Sequence, residues 1–256
     1  MKKIFCIKTG IFLLLLFSAA VPGLRAMSRA EIDKLLEKME RATDPEKVAV
    51  NIKTQRQKAE ISIPMQKIKI TAVITDKFPD KTKTLTVLPG IMSTLQIYNG
   101  KQAWEYSQAA GIREIKGKEL NSMKFEMDLK NPKLAMRDVF AEIAVDDTTV
   151  KLGNSECYKL TCTPKKEYGL KPLIYYVNVK DFLIRQMEAV MPTKMGDIKT
   201  VSVFSDFRKT DKLIVPMHIT VRQLNMTMEV RVLKVENNIK LDDSEFDKPS
   251  PDSAGQ

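Results

Sequence analysis

Residues 95–106, LQIYNGKQAWEY, are the strongest local signal for β-structure in the chain and indicate its fold class. An Asn-Gly pair separates two runs of alternating apolar and polar residues, which is typical of a hairpin closed by a two-residue type I′ turn. A turn of this type places Leu95 opposite Trp104 and Ile97 opposite Gln102. Since opposed residues share a face, the single tryptophan is predicted to lie on the apolar side of a sheet.

The same alternation continues on both sides of this hairpin, in residues 67–75 (KIKITAVIT) and 84–89 (TLTVLP) before it and in six runs after it. The later runs are CYKLTCTP, LIYYVNV, FLIRQMEAVM, KTVSVFSDFRK, LIVPMHITVRQ and MTMEVRVLKVE. Most of these runs have one apolar face. Because strands twist, roughly ten consecutive antiparallel strands cannot stay flat, so the sheet is predicted to curl or close.

Helical spacing of apolar residues occurs in two segments, 28–47 and 117–140. Ser28 and Glu31 have the spacing of a capping box, and the first helix is predicted to stop before Pro45. In the second segment the apolar residues at helical spacing are Leu120, Met123 and Met127. Two such segments are too little to cover both faces of a wide sheet, but they are enough to close the hollow of a curled one.

Apolar side chains on the concave face of such a sheet line either a packed core or a cavity. Methionine is frequent, with 13 of its 14 copies after residue 26, and this flexible side chain re-packs around apolar guests of variable shape. We therefore predict an apolar ligand cavity, with an ordinary methionine-rich core as the alternative. The predicted lining consists of Ile68, Ile70, Ile74, Leu85, Val87, Leu95, Ile97, Trp104, Leu120, Met123, Met127, Met187, Met191, Met217, Met226 and Met228.

Residues 1–26 have the layout of a secretory signal peptide, with a positively charged start and an apolar run too short for a comfortable membrane span. Cleavage is predicted after Ala26, with Ala20 as the second option and an uncleaved anchor as the alternative. The protein is therefore expected to be exported to the periplasm, without a lipid anchor. Residues 27–247 are predicted to form one domain, followed by a disordered tail at 248–256.

The net charge of +10 falls to +6 once the four cations of the predicted signal peptide are removed. Lysine and arginine are scattered between acidic residues, without a basic block. This distribution does not favour a nucleic-acid partner, although weak attraction to anionic membrane surfaces is compatible with it.

Two cysteines, Cys157 and Cys162, remain after the predicted cleavage. On a strand, five residues of rise separate their Cα atoms by about 16 Å, whereas a disulfide needs them within about 7 Å. Their odd spacing also places them on opposite faces. We predict two free thiols.

His218 is the only histidine, so a hydrolase of the Ser-His-Asp type would have to use it as the base. Alternation places His218 on the same side as Thr220 and Arg222, away from the apolar residues of its strand, and no Gly-x-Ser-x-Gly elbow occurs. One histidine and two diverging cysteines do not make a metal site. We predict no catalytic residue, no metal and no cofactor, and keep a hydrolase acting on lipid or glycan as an alternative.

The segments YYVNVKDFLIRQ, VSVFSDFRKTDKLIVPMHI and VRVLKVENNIKLDDSEF-x-x-P follow one another between residues 175 and 249. Together with IYNGKQAWEY and GIREIKGKEL, this order resembles the outer-membrane lipoprotein-sorting family, the superfamily of the periplasmic lipoprotein carrier LolA. The resemblance implies an incomplete antiparallel β-barrel closed by helices, with an apolar cavity that takes acyl chains. Lys212, where relatives usually place Gly, and Asn178, where Asp is usual, depart from the family pattern.

The leading function hypothesis is a soluble periplasmic carrier or chaperone that binds acyl chains of lipoproteins or other lipids for delivery toward the outer membrane. The resemblance implies an inner-membrane exporter and an outer-membrane acceptor as partners, with transient contact with a membrane surface. We expect a monomer. The second hypothesis is an envelope-stress sensing module that binds lipid with the same fold and acts through a protein partner.

Overall fold

The structure, a computed structural model, describes residues 26–193 and 196–250. The predicted signal peptide, apart from Ala26, and residues 251–256 of the predicted tail lie outside the described residues. Within the described part, fourteen strands form one curved antiparallel sheet that does not close on itself. This confirms the predicted fold class, a β-rich α+β protein with an incomplete β-barrel.

The chain crosses the sheet in two meanders that meet where the last strand pairs with the first. The order is β6-β5-β4-β3-β2-β1-β14-β13-β12-β11-β10-β9-β7, with β8 paired to β9. The strands are β1 (Thr54–Ile63), β2 (Ile68–Lys77), β3 (Lys81–Leu88), β4 (Met92–Tyr98), β5 (Ala103–Ser107), β6 (Gly111–Ile115), β7 (Phe140–Val145), β8 (Val150–Leu152), β9 (Ser155–Pro164), β10 (Leu173–Asn178), β11 (Ile184–Thr193), β12 (Gly196–Thr210), β13 (Leu213–Gln223) and β14 (Met226–Asn237).

Helical structure in the described residues is short and mostly lies in the two predicted segments. The α-helices are α1 (Arg29–Thr43), α2 (Gly117–Lys130) and α3 (Met136–Val139), and the 3-10 helices are Ala49–Asn51, Pro64–Gln66, Lys166–Tyr168 and Asp243–Phe246. The capping box before α1 is confirmed: Ser28 N donates to Glu31 Oε2 at 2.7 Å, and Glu31 N lies 3.4 Å from Ser28 Oγ. These bonds satisfy main-chain donors that the first turn of a helix leaves open.

All three α-helices lie on one face of the sheet, which we call the inner face. Leu35 of α1, Phe125 of α2 and Val139 of α3 belong to one buried cluster with Leu160 of β9 and Tyr175 of β10. Aromatic edge-to-face contacts run through this cluster, and the rings of Phe125 and Phe140 have centroids 5.7 Å apart. The end of the sheet formed by β7 and β9–β11 is therefore covered on its inner face.

The helix α2 also contacts the opposite end of the sheet. Met127 is buried with Tyr98 of β4, Ala103 of β5 and Ile115 of β6. Because Phe125 and Met127 belong to different clusters, α2 has apolar side chains on two sides and bridges the two ends of the curled sheet. This is the closing role that the sequence predicts for the helical segment.

The hairpin formed by β4 and β5 differs from its predicted register. Ile97 pairs with Trp104, and Leu95 pairs with Tyr106, so the loop contains four residues instead of two. The side chain of Asn99 explains the longer loop, because its Oδ1 accepts from the main-chain N–H groups of the second and third residues after it, at 3.1 and 2.9 Å. The side-chain bonds therefore replace the type I′ turn.

Two of the predicted alternating runs form a regular hairpin, and the prediction of two free thiols is confirmed. β12 and β13 form a hairpin whose two-residue turn, Asp211 and Lys212, has positive φ at both positions, +45° and +73°, as a type I′ turn requires. Cys157 and Cys162 are free, buried and on opposite faces of β9.

Candidate functional site, an apolar surface and a polar cavity on the inner face

The residue pairs between the middle strands show which side chains lie on the inner face there. Ile70 on β2 pairs with Ile61 on β1, which pairs with Val230 on β14. Val230 pairs with Ile219 on β13, and Ile219 pairs with Phe204 on β12. Directly opposed residues point to the same side of a sheet, so these five side chains form one continuous apolar row.

This row lies on the same face as the helices. Two residues before Phe204, Ser202 pairs with Met187 on β11, and Met187 packs against the cluster that contains α1 and α2. We call the apolar residues of this face on β1, β2 and β11–β14 the inner apolar surface. Its partly buried members are Ile61, Ile68, Ile70, Ile74, Met187, Met191, Ile198, Phe204, Met217, Ile219, Val221, Met226, Met228 and Val230.

The predicted lining residues divide into three groups in the structure. The first group lies on the inner apolar surface: Ile68, Ile70, Ile74, Met187, Met191, Met217, Met226 and Met228. The second group, on α2, packs on the inner faces of β4–β6: Leu120, Met123 and Met127. The third group lies on the outer face and does not line this surface: Leu85, Val87, Leu95, Ile97 and Trp104.

The reason for this correction is the register between β2 and β3. Ile74 pairs with Thr84, and Val73 pairs with Leu85. The apolar residues of β3 therefore face away from those of β2 that point inward, although both strands show the same alternation.

A short carboxy-terminal segment covers the outer face at β4 and β5. Phe246, in the 3-10 helix Asp243–Phe246, is 1% exposed and packs with Leu95, Ile97, Trp104 and Tyr106. The segment is fixed at its other end by Asp243, whose carboxylate lies 3.0 Å from Lys77 Nζ and 2.6 Å from Lys81 Nζ. The outer-face group thus belongs to a small closed core.

A cavity of about 270 Å³ lies beneath α2, between the inner faces of β3 and β4 and the end of β11. Its apolar wall is formed by Ile115, Met123, Met127, Met191 and Pro192. Its polar wall, which the sequence analysis does not identify, is formed by Thr82, Thr84, Gln96, Glu119, Ser122, Glu126, Lys130 and Thr193. The cavity is therefore amphipathic and not purely apolar.

Ion pairs connect part of the polar wall to the sheet. Arg113 Nη1 of β6 donates to Glu119 Oε2 at 2.6 Å, and Lys130 Nζ lies 3.5 Å from Asp76 Oδ2 of β2. Glu119 is the largest cause of the raised pKa of Arg113, because hydrogen bonding to a carboxylate stabilises the charged guanidinium. These pairs fix α2 against the two strands.

His218 lies between two polar side chains on the outer face. Its Nδ1 is 3.2 Å from Ser205 Oγ on β12, and its Nε2 is 2.8 Å from Glu229 Oε2 on β14. Thr220 Oγ1 donates to the same Glu229 oxygen at 2.8 Å. The arrangement contains the residue types of a catalytic triad, but it links three neighbouring strands on the face opposite to the cavity.

Among residues 26–193 and 196–250, no group of three or more His, Cys, Asp or Glu side chains is placed to hold a metal ion. In the same ranges, no helix combines the length and the apolar character needed to cross a membrane.

Solved structures with the same architecture identify the fold. A scan of protein-family models and a search of curated proteins find no match to this sequence. The chain is similar to a DUF1329 family protein from Desulfovibrio piger, with a TM-score of 0.58 and 16% identity over 84% of this chain and 97% of that one. It is also similar to a putative outer membrane lipoprotein-sorting protein domain from Vibrio parahaemolyticus, with a TM-score of 0.52 and 13% identity over 84% and 95%.

A third similar structure is a LolA superfamily protein from Nitrosomonas europaea, with a TM-score of 0.54 and 13% identity over 84% of this chain and 97% of that one. The fold of this protein is LolA-like, as the resemblance in the sequence implies. At these identities the likeness concerns the fold, so the function has to be argued from the inner face itself.

Proposed function

We propose that the protein is a periplasmic carrier or chaperone that holds acyl chains of lipoproteins or other lipids on its inner apolar surface for delivery toward the outer membrane. The observation that carries the proposal is the continuous apolar row from Ile70 to Phe204, whose members stay only partly buried. The lipoprotein-sorting domain and the LolA superfamily protein with the same fold support it.

Apolar surface that stays in contact with water costs free energy. Burying apolar area contributes about 25 cal/mol per Å², or about 0.8 kcal/mol for each CH₂ group. An acyl chain laid on the inner apolar surface would remove both its own methylenes and these side chains from water. The methionines of this surface suit such a guest, because their flexible side chains adapt to chains of different length.

The remaining parts of the proposal concern location and organisation. The predicted signal peptide supports export to the periplasm, with cleavage near Ala26. We propose one domain over residues 27–247, which contains the whole sheet and its helices, and a disordered tail at 248–256. Delivery also requires brief contact with a membrane surface, with an exporter on the inner membrane and an acceptor on the outer one.

The decisive experiment compares variants of the two faces in a lipid-binding assay. Replacing Met217, Met226 and Met228 together by Gln keeps the side-chain length but makes the inner apolar surface polar. The control replaces His218 and Thr227 by Gln on the outer face of the same two strands. Displacement of a fluorescent fatty-acid probe and native mass spectrometry of the purified protein measure binding.

We expect the inner-face variant to lose at least about tenfold in affinity, since three partly buried apolar contacts become polar, and the control to retain wild-type affinity. Absence of lipid from the purified wild-type protein, together with no probe binding, would falsify the proposal.

The alternative function, an envelope-stress sensing module, would use the same lipid site. A stable complex with a signalling partner in pull-downs, with lipoprotein localisation unchanged when the gene is deleted, would favour it over the carrier.

A further inference from the structure

The cavity beneath α2 contains polar atoms that the protein itself does not satisfy. Thr82 Oγ1 and Ser122 Oγ are buried in its wall, in residues only 8% and 5% exposed, and neither has a hydrogen-bond partner among the described residues. Nearby, Asp76 Oδ1 is also buried without a partner, although Asp76 Oδ2 is held by Lys130. A buried polar group left unpaired costs about 1–3 kcal/mol, so two such atoms in the wall, with a third on Asp76 opposite Thr82, point to a polar guest.

The charge of the cavity selects the kind of guest. Glu119 and Glu126 are the carboxylates of its wall, and Lys130 is its cation. Arg113 neutralises Glu119, and Asp76 engages Lys130. Glu126 has no hydrogen bond or ion pair within 26–193 and 196–250, and Lys130 acts on it only at longer range. It is therefore the carboxylate of the wall that is free to accept from a cationic guest.

The surroundings of Glu126 affect its protonation and its interaction with a cation. Glu126 lines the cavity and is exposed to water, although nearby protein desolvates its carboxyl group in part. The pKa of Glu126 is raised, mainly by desolvation and further by Asp76, and Lys130 opposes the shift. The cavity on its own thus favours the neutral acid, and a bound cation favours the carboxylate. A cation placed beside a partly desolvated carboxylate interacts with it more strongly than it would in bulk water.

We propose that this cavity is a head-group subsite that takes the primary ammonium group of a lipid whose acyl chains lie on the inner apolar surface. The inference rests on the proposed carrier function and specifies its substrate class. An ammonium group has three N–H donors, and Glu126, Thr82 and Ser122 place acceptors around the cavity. Met191 belongs both to the cavity wall and to the inner apolar surface, so a head group bound here leaves its chain on that surface.

The size of the cavity also suits a head group. A single buried water needs about 10–15 Å³ of space, and the cavity provides about 270 Å³. Water would satisfy the hydroxyl groups and hydrate the exposed Glu126 side chain, whereas an ammonium group would also bring the opposite charge. The alternative to be tested is therefore a cavity that holds only water.

The experiment measures the affinity of the full chain for three lysolipids of equal chain length, below their micelle concentrations, by displacement of the fluorescent probe. Lysophosphatidylethanolamine has the ammonium donors, lysophosphatidylcholine has the positive charge without N–H donors, and lysophosphatidylglycerol has no cation. The variants are Glu126→Gln and Ser122→Ala. The control is Glu114→Gln, an exposed carboxylate on the outer face of β6.

We expect the wild-type protein to bind the ethanolamine lipid about 10- to 100-fold more tightly than the glycerol lipid, the range for one hydrogen bond to a charged group, with the choline lipid between them. Glu126→Gln should remove most of this preference, Ser122→Ala part of it, and Glu114→Gln none. Equal affinities, or tighter binding of the glycerol lipid, overturn the head-group inference and leave the carrier proposal standing. Failure of all three lipids to bind overturns both.

Discussion

Ile97 of β4 pairs directly with Trp104 of β5, and both side chains are buried beneath Phe246 on the outer face. The 3-10 helix Asp243–Phe246 therefore contributes a core residue, although it comes after the last strand of the sheet. Since Trp104 is the only tryptophan, its fluorescence reports on this contact without interference from other sites.

Replacing Phe246 by Ala is expected to lower the free energy of unfolding by about 3–5 kcal/mol, the usual loss when a buried phenylalanine is truncated. The emission of Trp104 should shift to longer wavelength as water reaches the ring. Urea denaturation followed by fluorescence and circular dichroism measures both effects. Leu233→Ala, at a side chain that is more than half exposed, is the control and should change stability by less than about 0.5 kcal/mol. An unchanged urea midpoint for Phe246→Ala would show that the segment does not hold the outer core.

The outer core also shows how far the sequence determines the fold. Alternation in residues 67–75 and 84–89 identifies two strands and the apolar side of each one. It does not determine the register between neighbouring strands, and a register shift of one residue exchanges the two faces of a strand. Here Leu85 pairs with Val73. Its face could be assigned only by knowing that Phe246 would cover it.

The inner apolar surface was more predictable than the cavity. Ile68, Ile70 and Ile74 on β2 alternate with mostly polar residues that point to the opposite face, and so do the methionines of β13 and β14. Alternation alone therefore identifies them. The polar wall unites Thr82 of β3 with Ser122 and Glu126 of α2, far apart in the chain. No local pattern marks these residues, because their juxtaposition follows from the curl of the sheet.

The two cysteines are expected to be unreactive in the native protein at pH 8. Burial raises the pKa of the Cys162 thiol to about 12 and also raises that of Cys157. A raised pKa keeps each thiol protonated below it, and the thiolate is the reactive form. With Cys6 replaced by Ser, Ellman's reagent should label neither thiol within minutes in buffer and both in 6 M guanidinium, a concentration at which most domains are unfolded. Fast labelling of the folded protein would contradict the buried placement of both side chains.

Three loops that connect strands on the same side of the sheet, where the strands end, have exposed apolar tips. Met65 between β1 and β2, Ile91 between β3 and β4, and Leu224 between β13 and β14 are 86%, 72% and 77% exposed. β1 is antiparallel to β2 and β14, and β3 is antiparallel to β2, so all three loops lie at the carboxyl end of β1. Replacing the three residues by Gln is expected to reduce binding to vesicles of phosphatidylethanolamine and phosphatidylglycerol by about tenfold, because apolar tips that enter the interface no longer gain from burial.

Vesicle flotation measures this effect, and the control is Leu233→Gln, an exposed apolar residue away from these loops. The thermal midpoint of the triple variant should match that of the wild-type protein, since the three side chains are exposed. If the variant and the wild-type protein float equally, the loop tips do not mediate contact with the membrane.

Lys212 occupies the second position of the type I′ turn between β12 and β13, with φ of +73°. The left-handed conformation costs a residue with a Cβ atom about 1–2 kcal/mol, whereas glycine adopts it freely at an entropic cost of about 0.5–1 kcal/mol. Lys212→Gly is therefore expected to be more stable than Lys212→Ala by about 0.5–1 kcal/mol. The alanine variant is the matched control, because both substitutions remove the exposed ion pair with Glu46, at 2.9 Å, and only the glycine relieves the backbone. Urea denaturation of the two variants measures the difference. Equal midpoints would show that the Cβ atom at position 212 does not strain the turn.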